Sequence, residues 1–210
     1  MQVPDAAASV FGDELARAGA YADLLATRGV EWGLIGPREV ERIWERHVLN
    51  SVAVGHAIGP GASVVDVGSG AGLPGIPLAL ARPDLRVTLL EPLLRRATFL
   101  DGVVTELDLG DRVTVVRGRA VPDGDKDPLG HRGTYDVVTS RAVAPLPRLL
   151  AWCTPLLGRH GSIVALKGSS ARAEVDAALT DLRRLGLVAE VVTVQPFEGA
   201  DPTTLVVCSR

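Results

Sequence analysis

The residues best suited to chemistry surround one glycine-rich turn. The segment Val64–Leu73 (VVDVGSGAGL) joins an apolar run to three glycines, among them Gly68 and Gly70, which let the backbone adopt positive φ and approach a ligand closely. Asp66 precedes the turn, where a carboxylate can meet a ligand's ammonium group. Glu91 ends the next apolar run, and its two oxygens can accept from both hydroxyls of a ribose. The pattern predicts a site for a ribose-containing ligand that carries an amino group.

Two classes of cofactor share this pattern. The glycine spacing also satisfies the G-x-G-x-x-G motif of dinucleotide sites, and Glu91 could serve as the acid of such a motif. A pyrophosphate, however, needs free backbone N–H groups at the helix N-terminus, and Pro74 and Pro77 remove two of them. Asp66 would also repel a pyrophosphate. The residues therefore favour S-adenosyl-L-methionine, which has no phosphate, and an NAD-binding Rossmann module is the alternative.

The elements that must position this turn alternate between short apolar strands and helices. Seven strands are predicted, at Ser63–Val67, Arg86–Leu90, Val113–Arg117, Tyr135–Ser140, Gly161–Leu166, Val188–Val194 and Thr204–Cys208. Helices are predicted at Leu73–Ala81, Leu93–Leu107, Leu146–Leu157 and Ala171–Leu185. Unbroken apolar strands suit a sheet covered on both faces, and the link Gln195–Thr203 is too short for a crossover helix, so the last two strands should be antiparallel. This is the Rossmann-like α/β layout of class I S-adenosylmethionine methyltransferases.

The first part of the chain has a different pattern. Residues 1–60 are predicted to form an N-terminal helical extension of the methyltransferase domain at 61–210, the two making one structural unit. One helix is predicted over Asp13–Ala26 and a second from Pro37, a residue favoured in a first helical turn. The apolar face of the second helix has helical spacing and consists of Val40, Ile43, Trp44, His47, Val48 and Ser51.

Composition sets the class of protein. The chain has 210 residues, of which 47% are hydrophobic and 22% charged, enough to bury the core of one α/β domain. No apolar run reaches the length of a membrane span, and we expect Cys153 and Cys208 to be free buried thiols of a cytoplasmic protein. The net charge of −3 argues against a general nucleic-acid coat protein but allows a local arginine patch. We predict no metal site and a monomer.

Five segments together resemble a known family. They are Val64–Pro77 (VVDVGSGAGLPGIP), Arg46–Val52 (RHVLNSV), Glu91–Leu100 (EPLLRRATFL), Ser140–Val143 (SRAV) and Leu166–Gly168 (LKG). Their order and spacing resemble the bacterial 16S rRNA guanine-N7 methyltransferases, also called the glucose-inhibited division protein B family. The resemblance implies methyl transfer from S-adenosylmethionine to N7 of the guanine at position 527 of 16S ribosomal RNA, in the small subunit or an assembly intermediate of it.

The resemblance also implies site residues. The family's cofactor contacts fall on Gly68 and Leu73 in the turn, on Ala120 and Val121 after the third strand, and on Arg141 after the fourth. The family commonly has a glutamate where this chain has Val121, so backbone groups or Asp123 would have to replace that contact near the adenine.

The chemistry of this reaction places few demands on proton transfer. Guanine N7 has a free lone pair and can attack the sulfonium methyl without losing a proton, so no general base is predicted. The enzyme must instead align the reacting atoms, and the target base must be unstacked because side chains cannot enter the deep groove of A-form RNA.

Three cationic or polar side chains are candidates for that alignment. Arg141 could address guanine O6, a phosphate or the cofactor; its alternative role is a surface ion pair. Lys167 could contact a phosphate or a base; its alternative role is that of a solvated side chain at the end of the fifth strand. His47 could reach the mouth of the site, or be a hydrogen-bonded core residue. A methyltransferase for a small molecule or a protein is the alternative function.

Overall fold

One mixed sheet organises the part of the chain that the structure, a computed structural model, describes: residues 1–120, 130–141 and 143–210. Its strands are β1 (Ser63–Val67), β2 (Arg86–Glu91), β3 (Val113–Arg117), β4 (Tyr135–Arg141), β5 (Leu157–Lys167), β6 (Val188–Val194) and β7 (Thr203–Ser209). They are ordered β3-β2-β1-β4-β5-β7-β6. Strand β7 is antiparallel to β5 and β6, and the other pairs are parallel. The predicted class I methyltransferase layout is confirmed.

Both faces of the sheet are covered, as the unbroken apolar strands predicted. Adjacent residues of a strand point to opposite faces, and Val64 packs in one hydrophobic cluster while its neighbour Val65 packs in the other. The helices that supply this cover are α1 (Asp5–Phe11), α2 (Leu15–Leu24), α3 (Gly75–Ala81), α4 (Leu94–Glu106), α5 (Leu146–Cys153) and α6 (Ala171–Leu185). Because the central strands are buried on both sides, ligands can reach them only at their ends.

Several predicted boundaries shift. Helix α3 begins at Gly75 rather than at Leu73, directly after Pro74, which has no N–H to donate. The helix predicted to reach Leu157 ends as a short 3₁₀ turn, Thr154–Leu156, and β5 starts at Leu157 rather than at Gly161. The register between β4 and β5 is irregular there, where Leu157 pairs with Tyr135 ahead of the regular ladder.

The N-terminal helices are more broken than predicted. Gly12, with φ of +49°, ends α1 and begins the 3₁₀ turn Gly12–Glu14, which separates α1 from α2. After α2 come four short helical segments. Two are π-helical, Leu25–Gly29 and Ile43–Leu49, and two are 3₁₀ helices, Pro37–Arg42 and Val52–Ala57. The predicted apolar face is nevertheless buried from Ile43 onward, and Val40 is half-buried.

These helices and the sheet share one hydrophobic core. Tyr21, Leu25 and Leu49 from the helical region belong to the same buried cluster as Val64 of β1 and Leu89 of β2. On the other face of the sheet, both cysteines are free and buried. Among the described residues, no helix combines the length and the apolar character that a membrane span requires.

Candidate active site

The glycine turn lies at the carboxyl end of β1 and is held on both sides. Gly68, Gly70 and Gly72 have φ of +71°, +60° and +97°, a region that glycine adopts without strain. The Gly68 N–H donates to the carbonyl of Leu90 at the end of β2, at 2.8 Å. From the helical region, the buried Tyr21 hydroxyl donates to the Ala71 carbonyl at 2.8 Å. The turn is thus fixed by contacts with elements far away in the chain.

Asp66 is fully buried directly behind the turn. Its Oδ2 accepts a hydrogen bond from the Gly75 N–H at 3.0 Å, at the start of α3. Its Oδ1 is buried with no hydrogen-bond partner among the described residues. Burial raises the pKa of this carboxyl from 3.8 to about 7, because a charge without full solvation is unfavourable there. One oxygen of Asp66 therefore organises the helix, and the other is left without a donor from the described residues.

Glu91, at the end of β2, is almost fully buried and braces the turn from the opposite side. Its Oε2 accepts from the Gly70 N–H and its Oε1 from the Leu93 N–H, each at 3.0 Å. A carboxylate oxygen can accept two hydrogen bonds. Each oxygen of Glu91 can therefore still accept one bond from a ligand hydroxyl.

A cavity of about 560 Å³ opens in front of these groups. This volume lies in the range of small-molecule and cofactor pockets. We call it the central cavity; the predicted site residues that line it are Gly68, Gly70, Leu73, Glu91, Ala120, Arg141 and His47. Asp66 lies behind its wall, and Val121 lies outside the described residues.

Arg141, the last residue of β4, is tied to the helical region. Its guanidinium donates one hydrogen bond to His47 Nδ1 at 2.8 Å and another to the Arg46 carbonyl at 3.2 Å. On its other ring nitrogen, His47 Nε2 lies 3.0 Å from Glu39 Oε2. Within the described part of the chain, Arg141 makes no ion pair with a carboxylate. Arg141 and His47, which the sequence singled out separately, therefore act on each other.

Lys167 lies beside Arg141 in a second depression, which we call the side groove. Its ammonium donates to the Ala144 carbonyl at 2.8 Å and to Glu174 Oε2 at 2.7 Å. An ammonium has three N–H donors, so one is left. The side groove measures about 690 Å³ and shares His47, Arg141 and Val143 with the central cavity.

Sequence reasoning missed two residues of this site. Glu39 precedes His47 by eight residues, a helical spacing that puts both on one face. Nothing else in the sequence distinguishes Glu39 from an ordinary surface acid. Tyr21 falls within the helix predicted over Asp13–Ala26. Its contact with Ala71 spans 50 residues of sequence, which no local pattern can reveal.

Comparison with known proteins agrees with this geometry. A family model described as rRNA small subunit methyltransferase G matches residues 14–198. A protein of that name from Kineococcus radiotolerans is 53% identical over 208 residues, covering 98% of this chain and 80% of its own. Its counterpart from Mycolicibacterium smegmatis is also 53% identical over 208 residues, covering 99% and 86%.

Solved structures give the same fold at a greater distance. TYW2 of M. jannaschii, solved in complex with AdoMet, superimposes with a TM-score of 0.58 at 16% identity, covering 80% of this chain and 76% of its own. That likeness concerns the fold alone. The match to the family model and the identity to its members over nearly the whole chain go further: the chain belongs to the rRNA small subunit methyltransferase G family.

Proposed function

We propose that this enzyme transfers the methyl group of S-adenosylmethionine to N7 of the guanine at position 527 of 16S ribosomal RNA. Membership of the family supports the class of substrate. The structural observation that carries the proposal is the junction of the central cavity with the side groove at Arg141, His47 and Val143. A methyl transferase needs two adjoining sites, one for the donor and one for the acceptor.

The central cavity suits the methyl donor. Glu91 offers one free acceptor position on each oxygen for the two ribose hydroxyls, and the buried Oδ1 of Asp66 is the kind of acceptor an ammonium group needs. Gly70 lines this cavity, and a Cβ there would approach no atom closer than 3.8 Å, so it would project into open space that glycine leaves free. Once bound, this cofactor supplies an electrophilic methyl group on a sulfonium.

The same geometry argues against a dinucleotide. The first N–H of α3 is that of Gly75, and it already donates to Asp66 Oδ2. A pyrophosphate at this helix end would have to displace a carboxylate from that donor and lie beside the carboxylate's charge. We therefore assign the central cavity to a cofactor without phosphate.

The side groove suits the acceptor base. Arg46, Arg141 and Lys167 lie along it and can meet phosphate oxygens or guanine O6. A donor aimed at N7 would block the nucleophile, so Arg141 is assigned to O6, to a phosphate or to the cofactor. No described residue has to remove a proton, because the N7 lone pair reacts directly. The work of the protein is to hold the unstacked base in line with the methyl group.

The test is methylation with labelled cofactor, using small-subunit RNA from cells that lack this protein, followed by N7-specific strand cleavage. We expect label at a single guanine. Label elsewhere in the RNA would keep the class of enzyme and reject the specificity, and label only on protein or small molecules would reject the RNA substrate.

Two variants test the assignment of the residues. Arg141→Ala and Lys167→Ala should each abolish RNA methylation while binding of S-adenosylhomocysteine changes little. The matched control is Arg86→Ala, because Arg86 is exposed at the opposite, amino-terminal end of β2. Loss of cofactor affinity by the same factor as loss of activity would assign Arg141 to the cofactor instead.

The place and state in which the enzyme works belong to the same proposal. We propose that it acts in the cytoplasm, where bacterial ribosomal subunits are assembled, and as a monomer.

A further inference from the structure

A carboxylate and an imidazole from the helical region hold Arg141, which lines both cavities. Glu39 Oε2 lies 3.0 Å from His47 Nε2, and His47 Nδ1 lies 2.8 Å from the guanidinium of Arg141. The second oxygen of Glu39 binds Arg46 at 3.2 Å, and the carbonyl of Arg46 accepts from Arg141. Arg141 is therefore fixed at two of its N–H groups by a closed ring of contacts.

The proton positions in this ring follow from the chemistry of its members. A guanidinium is always protonated and can only donate, so His47 Nδ1 must present its lone pair to Arg141. A neutral imidazole then has its proton on Nε2, where it donates to the carboxylate of Glu39. The contacts at 3.0 and 2.8 Å are both satisfied by this single tautomer.

We propose that Glu39 and His47 are positioning residues for methyl transfer, which orient Arg141 between cofactor and acceptor and release it when His47 gains a proton. The proposal rests on the proposed function, since it assigns the catalytic contact to Arg141. Glu39 and His47 act through Arg141 and need not touch the substrate.

Protonation breaks the ring at one point. It places an N–H on Nδ1, which removes the acceptor for Arg141 and sets two cations face to face. The charged groups that face His47 are Arg141 from β4, Glu39 from the preceding helical segment and Arg46 beside it. On its far side, Arg141 faces two further titratable groups, Tyr21 of α2 and Asp66 of β1.

The balance of these groups keeps the ring closed at neutral pH. Burial and the charge of Arg141 lower the pKa of His47 below its ordinary value of 6.5, although Glu39 opposes them. Neutral His47, the form that orients Arg141, therefore prevails above pH 6.5 and is lost as the pH falls through the lowered pKa of His47. We expect kcat/KM for RNA to decline in that acid range.

The experiment measures kcat/KM for RNA from pH 5 to 9 at saturating S-adenosylmethionine, so that a pH-dependent cofactor affinity does not enter, and the affinity for S-adenosylhomocysteine in the same buffers. Glu39→Gln keeps an acceptor for Nε2–H but removes the negative charge, so the acid decline should move to lower pH. His47→Asn retains an acceptor oxygen near the position of Nδ1 and cannot titrate, so the acid decline should vanish at a loss of about threefold in rate. His47→Leu has no hydrogen-bonding group in its side chain, so it removes that acceptor and should lose about 10- to 100-fold at every pH.

Glu41→Gln is the matched control. Glu41 is an exposed acid on the same helical segment as Glu39, and its variant should keep the acid decline of the parent protein. If Glu39→Gln and His47→Asn also keep that decline unchanged, the positioning role is overturned.

A spectroscopic measurement separates this inference from the proposed function. Long-range ¹⁵N–¹H spectra of the protein labelled at histidine should show the His47 ring protonated at Nε2 only, with a titration that moves to lower pH in Glu39→Gln. The opposite tautomer overturns the inference even if guanine N7 is methylated. The expected tautomer without any N7 methylation would reject the proposed function, while Glu39 and His47 would still be the residues that hold Arg141.

Discussion

Asp66 combines a structural bond with an unsatisfied acceptor. Its Oδ2 is committed to Gly75, and its buried Oδ1 has no partner in the described part of the chain. The pKa of about 7 means that ionising this carboxyl costs free energy at its buried position. Since the folded pKa lies above the ordinary 3.8, the folded protein is favoured while Asp66 is protonated. This contribution to the free energy of unfolding is complete below pH 3.8 and is lost as the pH rises through 7. A bound ammonium would remove that cost.

We therefore predict that cofactor affinity depends on pH through Asp66. Binding an ammonium favours the ionised carboxyl, so the affinity for S-adenosylhomocysteine should rise as the pH increases through 7. It should fall again only at more alkaline pH, where the α-amino group of the ligand, stabilised as an ammonium by its own carboxylate, loses its proton. Calorimetric titration should give binding about tenfold weaker at pH 6 than at pH 7.5.

Two variants test this linkage. Asp66→Asn should flatten the rise around pH 7, because an amide does not titrate there. Asp101→Asn, at an exposed position of α4, should retain it. An Asp66→Asn variant with the pH profile of the parent protein would place the ammonium elsewhere.

Residue types near the turn could be predicted, but their partners could not. Asp66 lies near the carboxyl end of β1 and Glu91 ends β2. Both strands are visible in the apolar pattern, so the place of the two acids at one edge of the sheet was predictable. Their hydrogen bonds to the backbone were not predictable. Asp66 accepts from Gly75, nine positions away, and Glu91 accepts from Gly70, 21 positions away, each at 3.0 Å. The pairing of His47 with Arg141 spans 94 positions, and only the packed structure brings them together.

At the scale of elements, the start of α3 is packed against two strands at once. A Cβ on Gly75 would lie 2.4 Å from Leu89 Cδ2 on β2 and 2.9 Å from Asp66 Oδ2 on β1. Neither side chain can move freely, because Leu89 and Asp66 are both fully buried. The absence of a side chain at Gly75 lets the helix approach close enough for its N–H to reach Asp66.

The same substitution should therefore have opposite effects at two helical glycines. Gly75→Ala should destabilise the protein by about 1–3 kcal/mol through overpacking and weaken cofactor binding by displacing Asp66. Gly19→Ala in α2 meets nothing within 4 Å and should stabilise it by about 0.5–1 kcal/mol, since alanine is the better helix former. Urea unfolding of both variants measures the two signs, and a Gly75→Ala variant as stable as the parent would refute the close approach.

At the scale of the whole molecule, the site is assembled from both parts of the chain. Tyr21, Glu39 and His47 come from the helical region, whereas Glu91 and Arg141 come from the sheet. The sheet could be predicted because its strands are short and apolar and most of them alternate with helices. The helical region was predicted only in outline, since its segments are short and irregular and are stabilised by packing on the sheet rather than by intrinsic helix propensity. We propose that both parts fold as one unit, in line with their common core.

This unit should unfold in a single transition that responds to a cavity in either part. Leu49, in the helical region, is 1% exposed within the shared core. Leu49→Ala should cost about 2–5 kcal/mol and lower one common midpoint, seen alike in the far-UV signal and in calorimetry. Leu179→Ala, at a position 44% exposed on α6, should change the stability by less than about 0.5 kcal/mol.

Ligand binding should move the same transition as a whole. S-adenosylhomocysteine at about 100 times its Kd should add about 2.7 kcal/mol, which for a chain of this size raises the midpoint by roughly 5–10 °C. NAD at the same concentration should leave it unchanged. Because His47 lines the central cavity and Tyr21 holds its glycine turn, both from the helical region, the ligand must stabilise both parts together. A thermogram with two peaks, of which the ligand moves one, would show instead that the helices and the sheet unfold independently.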